Sequence, residues 1–421
     1  MKERWQFILN RMRERLWIKP LLACLFSIGA VFFAHIADGT GLGSYVLDIT
    51  NESIESLLKI IAASMLVIAT FAVGSMVSAY ASASSSATPR SFSLIIADDV
   101  SQNALSTFIG VFIFSVIALV ALMNGYYGKA GRFTLFALTI LMFVLVVITF
   151  ARWVDAIARL GRLGNTIDKV EKATAKAIKQ RQAAPFLGGA AALPLAQGSQ
   201  PIYANSIGYM QRLNMTSLQA HAEKLNLKIT VAALPGAFCT PNRPVAHITA
   251  QDHGALTDED VEALASAFVI GDARAFDQDP RFGLVVLSEI ASRALSPAVN
   301  DPGTAIDVVG TLVRLFALWE ARAKSEETSH AVRCDRIAVP ALSMSDMFED
   351  AFTGIARDGA GAVEVVVRLE KALEALSTME DGHMRENAIL HARLALTRAE
   401  SAMTLPQDVA AVRKAARFAT H

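Results

Sequence analysis

Residues Ile60 to Ala81, IIAASMLVIATFAVGSMVSAYA, run without a single Asp, Glu, Lys or Arg. A helix of roughly 20 such residues crosses about 30 Å of hydrocarbon, because it satisfies its own backbone hydrogen bonds where no water can. Three more charge-free runs flank it: Pro20 to Ala37, Ala104 to Met123 and Phe133 to Ala151. Of the chain, 53% is hydrophobic, and the excess is concentrated in the first 154 of 421 residues. The reading is a membrane α-helical domain of four transmembrane helices, followed by a mostly helical α+β domain with a small β module.

Orientation follows from basic residues near the spans. Lys2, Arg4, Arg11, Arg13, Arg15 and Lys19 precede the first span, whereas residues 38–56 carry only the acids Asp38, Asp48, Glu52 and Glu55. Arg152, Arg159, Arg162, Lys169, Lys172, Lys176, Lys179 and Arg181 follow the fourth. Both termini are therefore expected on the cytoplasmic side. A basic start and one apolar run could imitate a signal peptide, but three further spans follow.

The expected organisation is a basic tail (1–19), the membrane domain (20–154), a stalk helix (155–183), a linker (184–200), a small α/β module (201–251) and a mainly helical domain (252–421). The stalk rests on a heptad-like seam, Trp153, Ala156, Leu160, Leu163, Ile167, Val170, Thr174 and Ala177. That seam suits either self-association or packing on the chain's own body. Pro185, Gly188, Gly189, Pro194, Gly198 and Pro201 mark the linker. In the module, Thr216 is expected to cap a helix, and LKITVAAL and PVAHITA are expected to pair as strands about the Pro235-Gly236 turn. Thr257 with Asp260 forms a capping pattern for a helix read through to Gly271, and Asp279-Pro280 and Asp301-Pro302 each open a further helix.

Net charge is zero, which argues against bulk nucleic-acid binding; the lipid bilayer is the expected partner. Cys24, Cys239 and Cys334 form neither a disulfide framework nor a zinc spacing. The chain has no P-loop, nucleophile elbow, dinucleotide-binding glycine pattern or His-Glu-x-x-His helix. QDH at Gln251 to His253 and HAE at His221 to Glu223 read as surface residues. No catalytic residue, cofactor or metal is nominated.

Two polar constellations stand out. Thr70, Gly74, Ser78, Ser82 and Ser86 repeat every four residues, while Ser75, Ser78, Ser82 and Ser85 share a face. Such a stripe lets helices approach closely or lines a polar passage. Pro89 breaks the helix after it, and Arg90 is placed either as an anchor paired with Asp98 and Asp99 or as an anion-selecting ring at the mouth of a homo-oligomer. The spans hold no charge at their centres, which counts against a carboxylate-driven pump and leaves a passive channel or an anchor.

The second constellation is Glu289 and Arg293, one turn apart on a helix, and the loop with Ser296, Asn300, Asp301 and Thr304. Its polar atoms could hold a small ion or anion, or close on themselves as a capped turn.

ALSPAVNDPGTA (Ala294 to Ala305), DQDPRFG, LPGAFCTPNRPVAHI and the serine-to-TPR bend together resemble a family of bacterial predicted inner-membrane proteins classed as a domain of unknown function. The resemblance runs from the first span to about Leu318. Its most specific words are the Ser-Pro-x-x-Asn-Asp-Pro and Pro-Gly-x-Phe turns. Cys239 departs from the small aliphatic residue expected after Phe238, and Thr88 stands where Ser is common before Pro-Arg. The resemblance implies four spans, a cytoplasmic domain and a location in the bacterial inner membrane. It brings no substrate or catalytic residue.

The function expected on these grounds is an oligomeric passive channel for an ion or small solute, with the cytoplasmic domain gating or sensing. The alternatives are a membrane-tethered sensor or scaffold that transports nothing and, third, a membrane-bound enzyme, which substrate turnover lost on replacing Glu289 would support.

Overall fold

The computed structural model describes residues 18–40, 46–86, 88–96, 99–160, 163–195, 198–250, 256–323 and 332–420. They form two compact units, residues 1–166 and 167–421. Most of the basic tail, Asp98, Arg162 and the QDH stretch lie outside the described residues.

In the first unit, helices α1 (Ile18–Ile36), α2 (Asn51–Ser86), α4 (Asp99–Met123) and α5 (Lys129–Leu160) carry the four candidate membrane spans, and α3 (Phe92–Ile96) is a short connector. Helix α4 packs against α1, α2 and α5 and is the most enclosed: 44% of its apolar window is buried, against 17% for α5. The outward faces stay apolar, with Phe26, Phe33, Val67, Phe71 and Leu141 all exposed, as hydrocarbon requires.

Two apolar clusters fill the bundle. One gathers Val31, Ile54, Leu58, Phe114, Leu122 and Leu135; the other gathers Ile61, Met65, Phe108, Val111 and Trp153. At Gly110 a methyl group would stand 3.0 Å from Ala23 Cβ, so α1 and α4 meet nearly backbone to backbone. The Ser27 hydroxyl is shared there between the carbonyls of Ala23 (2.8 Å) and Gly110 (2.7 Å).

Asp38 closes one end of the unit. Its carboxylate accepts the amides of Gly128 (2.8 Å) and Gly131 (2.7 Å) at the start of α5, where unpaired amides and the helix dipole favour a negative charge. Asp48 pairs with Arg132 at 2.9 Å. The expected break after α2 is present: Thr88 is extended (φ −115°, ψ 151°) ahead of a 3-10 turn at Pro89–Ser91.

The second unit mixes sheet and helix. Helix α6 (Leu163–Ala183) is followed by β1 (Gly189–Ala191), β2 (Gln200–Tyr203), β3 (Gly208–Leu213), α7 (Met215–Lys224), β4 (Leu227–Val231), β5 (Phe238–Cys239) and β6 (Pro244–Ala250). Then come α8 (Asp258–Ala265), β7 (Phe268–Gly271), α9 (Pro280–Ala294), α10 (Pro302–Ala323), β8 (Cys334–Val339), α11 (Met344–Asp358), α12 (Val363–Ser377), α13 (Gly382–Ala402) and α14 (Pro406–Ala415).

The larger sheet has strand order β1-β8-β4-β6-β2, and β5-β3-β7 form a second. Strands β4 and β6 pair antiparallel from Leu227–Ala250 to Val231–Ala246, as the alternating pattern predicts. Strand β8, from far along the chain, enters parallel to both β4 and β1. Strand β1 comes from the Gly- and Pro-rich segment 184–200.

Two local expectations are corrected. The cap of α7 is Asn214, whose side chain accepts the Ser217 amide, rather than Thr216. Helix α8 stops at Ala265, and Phe268–Gly271 become strand β7 because their backbone pairs antiparallel with β3. The caps at Thr257 and Asp279 are as expected, Asp279 accepting the Phe282 amide at 3.1 Å.

The stripe Ile167, Val170, Thr174 and Ala177 on α6 is buried within the second unit. Gly283 of α9 lies so close to Thr174 that a Cβ there would overlap the threonine side chain. Arg314 of α10 grips Glu171 through Nε (2.8 Å) and Nη2 (2.7 Å). Of the two readings of the seam, the structure provides packing on the chain's own body from Ile167 onward. The join at residues 161–162 lies outside the described residues.

Candidate functional site

The serine face of α2 follows from helical spacing: residues four apart lie nearly above one another, so Gly74, Ser78 and Ser82 form one row. That row opens outward. Phe71, Gly74, Ser75, Ser78, Ala79 and Ser82 line a groove of about 630 Å³ with Ile157 and Ala158 of α5. Ser75 is half-buried, Ser78 and Ser82 are exposed, and nothing lies within 4 Å of a methyl group placed on Gly74. Thr70 donates to the Leu66 carbonyl at 2.9 Å, the usual way a hydroxyl is satisfied on a lipid-exposed helix. The side chain of Ser85 lies outside the described ones; Arg90 is exposed.

The polar residues enclosed by this unit are different ones. Thr88, Ser91, Ser101, Gln102 and Ser106 are all buried where the chain reverses from α2 into α4. Ser91 donates to the Thr88 carbonyl (2.8 Å) and Ser106 to that of Gln102 (2.6 Å). Apart from Thr88, which the bend before Pro89 marks, they carry no sequence signal, because isolated Ser and Gln residues in a mixed segment give no periodicity.

The second constellation divides. Glu289 is half-buried on α9, and Arg293 is exposed one turn later. The loop closes on itself: the Asn300 amide donates to the Ser296 carbonyl and the Asp301 amide to that of Ala294, both at 2.8 Å. Asn300 takes φ +50°, which Asn tolerates better than most residues. Asp301 accepts the Thr304 hydroxyl (2.6 Å) and amide (3.1 Å) at the start of α10, and those bonds hold its carboxyl below the usual range. Asp301 and Thr304 are thus brought together, with both carboxylate oxygens engaged. The Ser-Pro-x-x-Asn-Asp-Pro word reads physically as this capped turn.

The Pro-Gly-x-Phe word has a tertiary meaning. Gly236 has φ +96°, and a Cβ there would strike the Asp279 carboxylate and the Arg274 guanidinium. Arg274 holds Asp279 through Nε (2.8 Å) and Nη2 (3.0 Å) beneath the turn. A residue able to take positive φ with no side chain is required on both counts.

Several charged groups lie deep in the second unit. Arg181 is 3% exposed, and none of its guanidinium nitrogens has a hydrogen-bond partner among the described residues. Burial lowers its pKa to about 10, with Asp279 pulling the other way. Glu370 on α12 is fully buried, neither oxygen is hydrogen-bonded among the described residues, and desolvation pushes it up to about 8. His391 on α13, beside Phe348, is lowered to about 4 by burial and by Arg398. Among the described residues no three His, Cys, Asp or Glu side chains gather closely enough to hold a metal ion.

Comparison with known proteins places this architecture. The family model described as "Predicted membrane protein (DUF2254)" matches residues 13–375. Uncharacterised proteins of Mycobacterium bovis and Mycobacterium tuberculosis are 48% identical over 67 residues. That segment is 16% of this chain and only 12% of each relative, so the match spans a small part of their length. No solved structure matches. Since the family model covers most of the chain, four membrane spans included, this protein belongs to that family of predicted membrane proteins.

Proposed function

We propose that the protein is an oligomeric passive channel of the bacterial inner membrane, carrying a small ion or polar solute between copies rather than through one. The observation that carries this reading is the outward groove of α2, where Ser75, Ser78 and Ser82 open away from the bundle. The interior of a single copy is filled by two apolar clusters, which favours a path at the seam where several α2 helices meet. In the assembly Ser75, Ser78, Ser82 and Ser85 would line the path and Arg90 would stand at its inner mouth, selecting anions. Both termini are cytoplasmic in this reading, and the second unit gates or senses.

The test is flux through purified full-length protein in liposomes, with Ser78→Leu/Ser82→Leu as the variant. A solute or ion current that the variant abolishes while it remains oligomeric supports the channel. A second reading, a tethered sensor or scaffold, is favoured by the small-residue row Gly74, Ser78 and Ser82, which suits close helix packing. Absence of flux in the wild type, with the variant falling to monomers, selects the scaffold.

A further inference from the structure

Strands β4 and β8 are parallel neighbours, with Ile229 beside Ile337 and Thr230 beside Ala338. Their carboxyl ends therefore emerge on the same edge of the sheet. The loops they release, residues 232–237 and 340–343, line one cleft of about 360 Å³. The carboxyl edge of parallel strands is where α/β proteins hold ligands, since the loops diverge there and the following helices begin there. Here the following helix is α11, capped by Ser343 at the cleft wall.

Three arginines line this cleft: Arg243, Arg274 and Arg281. Two are fixed from behind. Arg274 is held through Nε and Nη2 by Asp279, and Arg281 through Nε by Asp350 and through Nη1 by Asp346. That leaves Arg274 Nη1 and Arg281 Nη2 without an acceptor among the described residues. Arg243 is exposed and has no carboxylate partner among the described residues. Asp346 is the acid in the lining, and it shares the Arg281 guanidinium with Asp350 behind it.

Guanidiniums immobilised by carboxylates lose little further freedom on binding and present paired N–H groups to oxygen acceptors. The rest of the wall is apolar, including Leu234, Pro235 and Leu342, with Phe238 half-exposed against Tyr209 at 5.1 Å. We propose that this cleft binds a phosphate monoester with an organic body. The phosphate oxygens engage Arg243 and the free edges of Arg274 and Arg281, and the body lies against Phe238 and Leu342. A phosphate monoester fits better than a carboxylate because its three strong acceptor oxygens can meet three guanidiniums at once, where a carboxylate brings two. This inference does not depend on the channel reading.

The test is titration calorimetry on the full-length protein in detergent, using adenosine monophosphate and inorganic phosphate as probes. A parallel arm measures competition by lipid discs containing phosphatidate against discs of phosphatidylcholine alone. The expected result is saturable binding of adenosine monophosphate, displaced by inorganic phosphate and weakened about tenfold in Arg243→Gln. Arg243→Glu should weaken it further, with the thermal unfolding midpoint unchanged because Arg243 is exposed. Competition by phosphatidate discs alone would support the same chemistry with a lipid as its source. No saturable binding or competition by any probe, or equal affinity in wild type and both variants, would overturn the proposal.

Discussion

Gly74 and Gly283 both sit on helices, one in each unit, and a methyl group would meet opposite surroundings at the two. At Gly74 there is open space for 4 Å, whereas at Gly283 the Thr174 side chain already occupies the position. The membrane unit keeps a row of small residues on an outer face, and Asp38 and Asp48 tie the connection between α1 and α2 to the start of α5. The second unit makes close approaches inside, as the membrane unit does at Gly110, but it also buries charge there: Arg181, Asp279 and Glu370. In lipid an outward apolar surface needs no cover, so burial is optional. In water the same surface must be packed, and polar groups on the packed faces go in with it.

The largest expected effect comes from breaking the closed side of this comparison. Gly283→Val should destabilise the second unit by about 3 kcal/mol or more, since α6 and α9 must separate to admit the side chain. Limited proteolysis of the full-length protein would show this as new cleavage within residues 167–421. Unchanged resistance would mean that the two helices are not in contact as described.

Buried charge provides the next test. Glu370 is raised to about 8 from 4.5. Below pH 4.5 both folded and unfolded states are protonated and nothing is lost. Above it the unfolded state releases a proton that the folded state retains, so stability falls until pH reaches the folded value. Glu370→Gln should therefore stabilise the protein, by roughly 2 kcal/mol or more at pH 8 and little at pH 4.5.

His391, lowered to about 4, has the opposite slope: its contribution is lost as pH falls from 6.5 towards 4. His391→Leu should flatten the acid side of the profile. Unfolding midpoints measured from pH 4 to 9 would check both, and a Glu370→Gln profile parallel to the wild type would contradict the burial assigned to that carboxyl.

Smaller effects are expected in the membrane unit. Asp38→Asn should cost about 1 kcal/mol, the loss of one charged cap on two amides at the start of α5. It is read from the thermal midpoint in detergent. Gly74→Ala should leave the stability of the isolated bundle within about 0.5 kcal/mol. A changed oligomer distribution in that variant would show that the open face is used between copies; an unchanged one would leave the face to lipid.

Local rules made part of this fold legible. Four charge-free runs became four helices because hydropathy is a sum over adjacent residues and needs no partner. Asp279 and Asp301 became caps because a short carboxylate next to proline meets amides of its own next turn. The serine face was legible as a face, since helical spacing sets which residues align. Its outward direction was not, because that depends on which neighbours α2 meets.

By itself, then, the sequence determined the number of spans, the helix starts at Thr257, Asp279 and Asp301, and the pairing of β4 with β6. Tertiary structure alone decided that β8 joins β4 from about a hundred residues away. The same holds for Gly236 over the Arg274–Asp279 pair and for the gathering of Arg243, Arg274 and Arg281 around one cleft. The physical reason is that capping and hydropathy act within a turn or two of the chain. Pairing between strands distant in the chain, close packing and the desolvation of a charge depend on residues that only folding brings together.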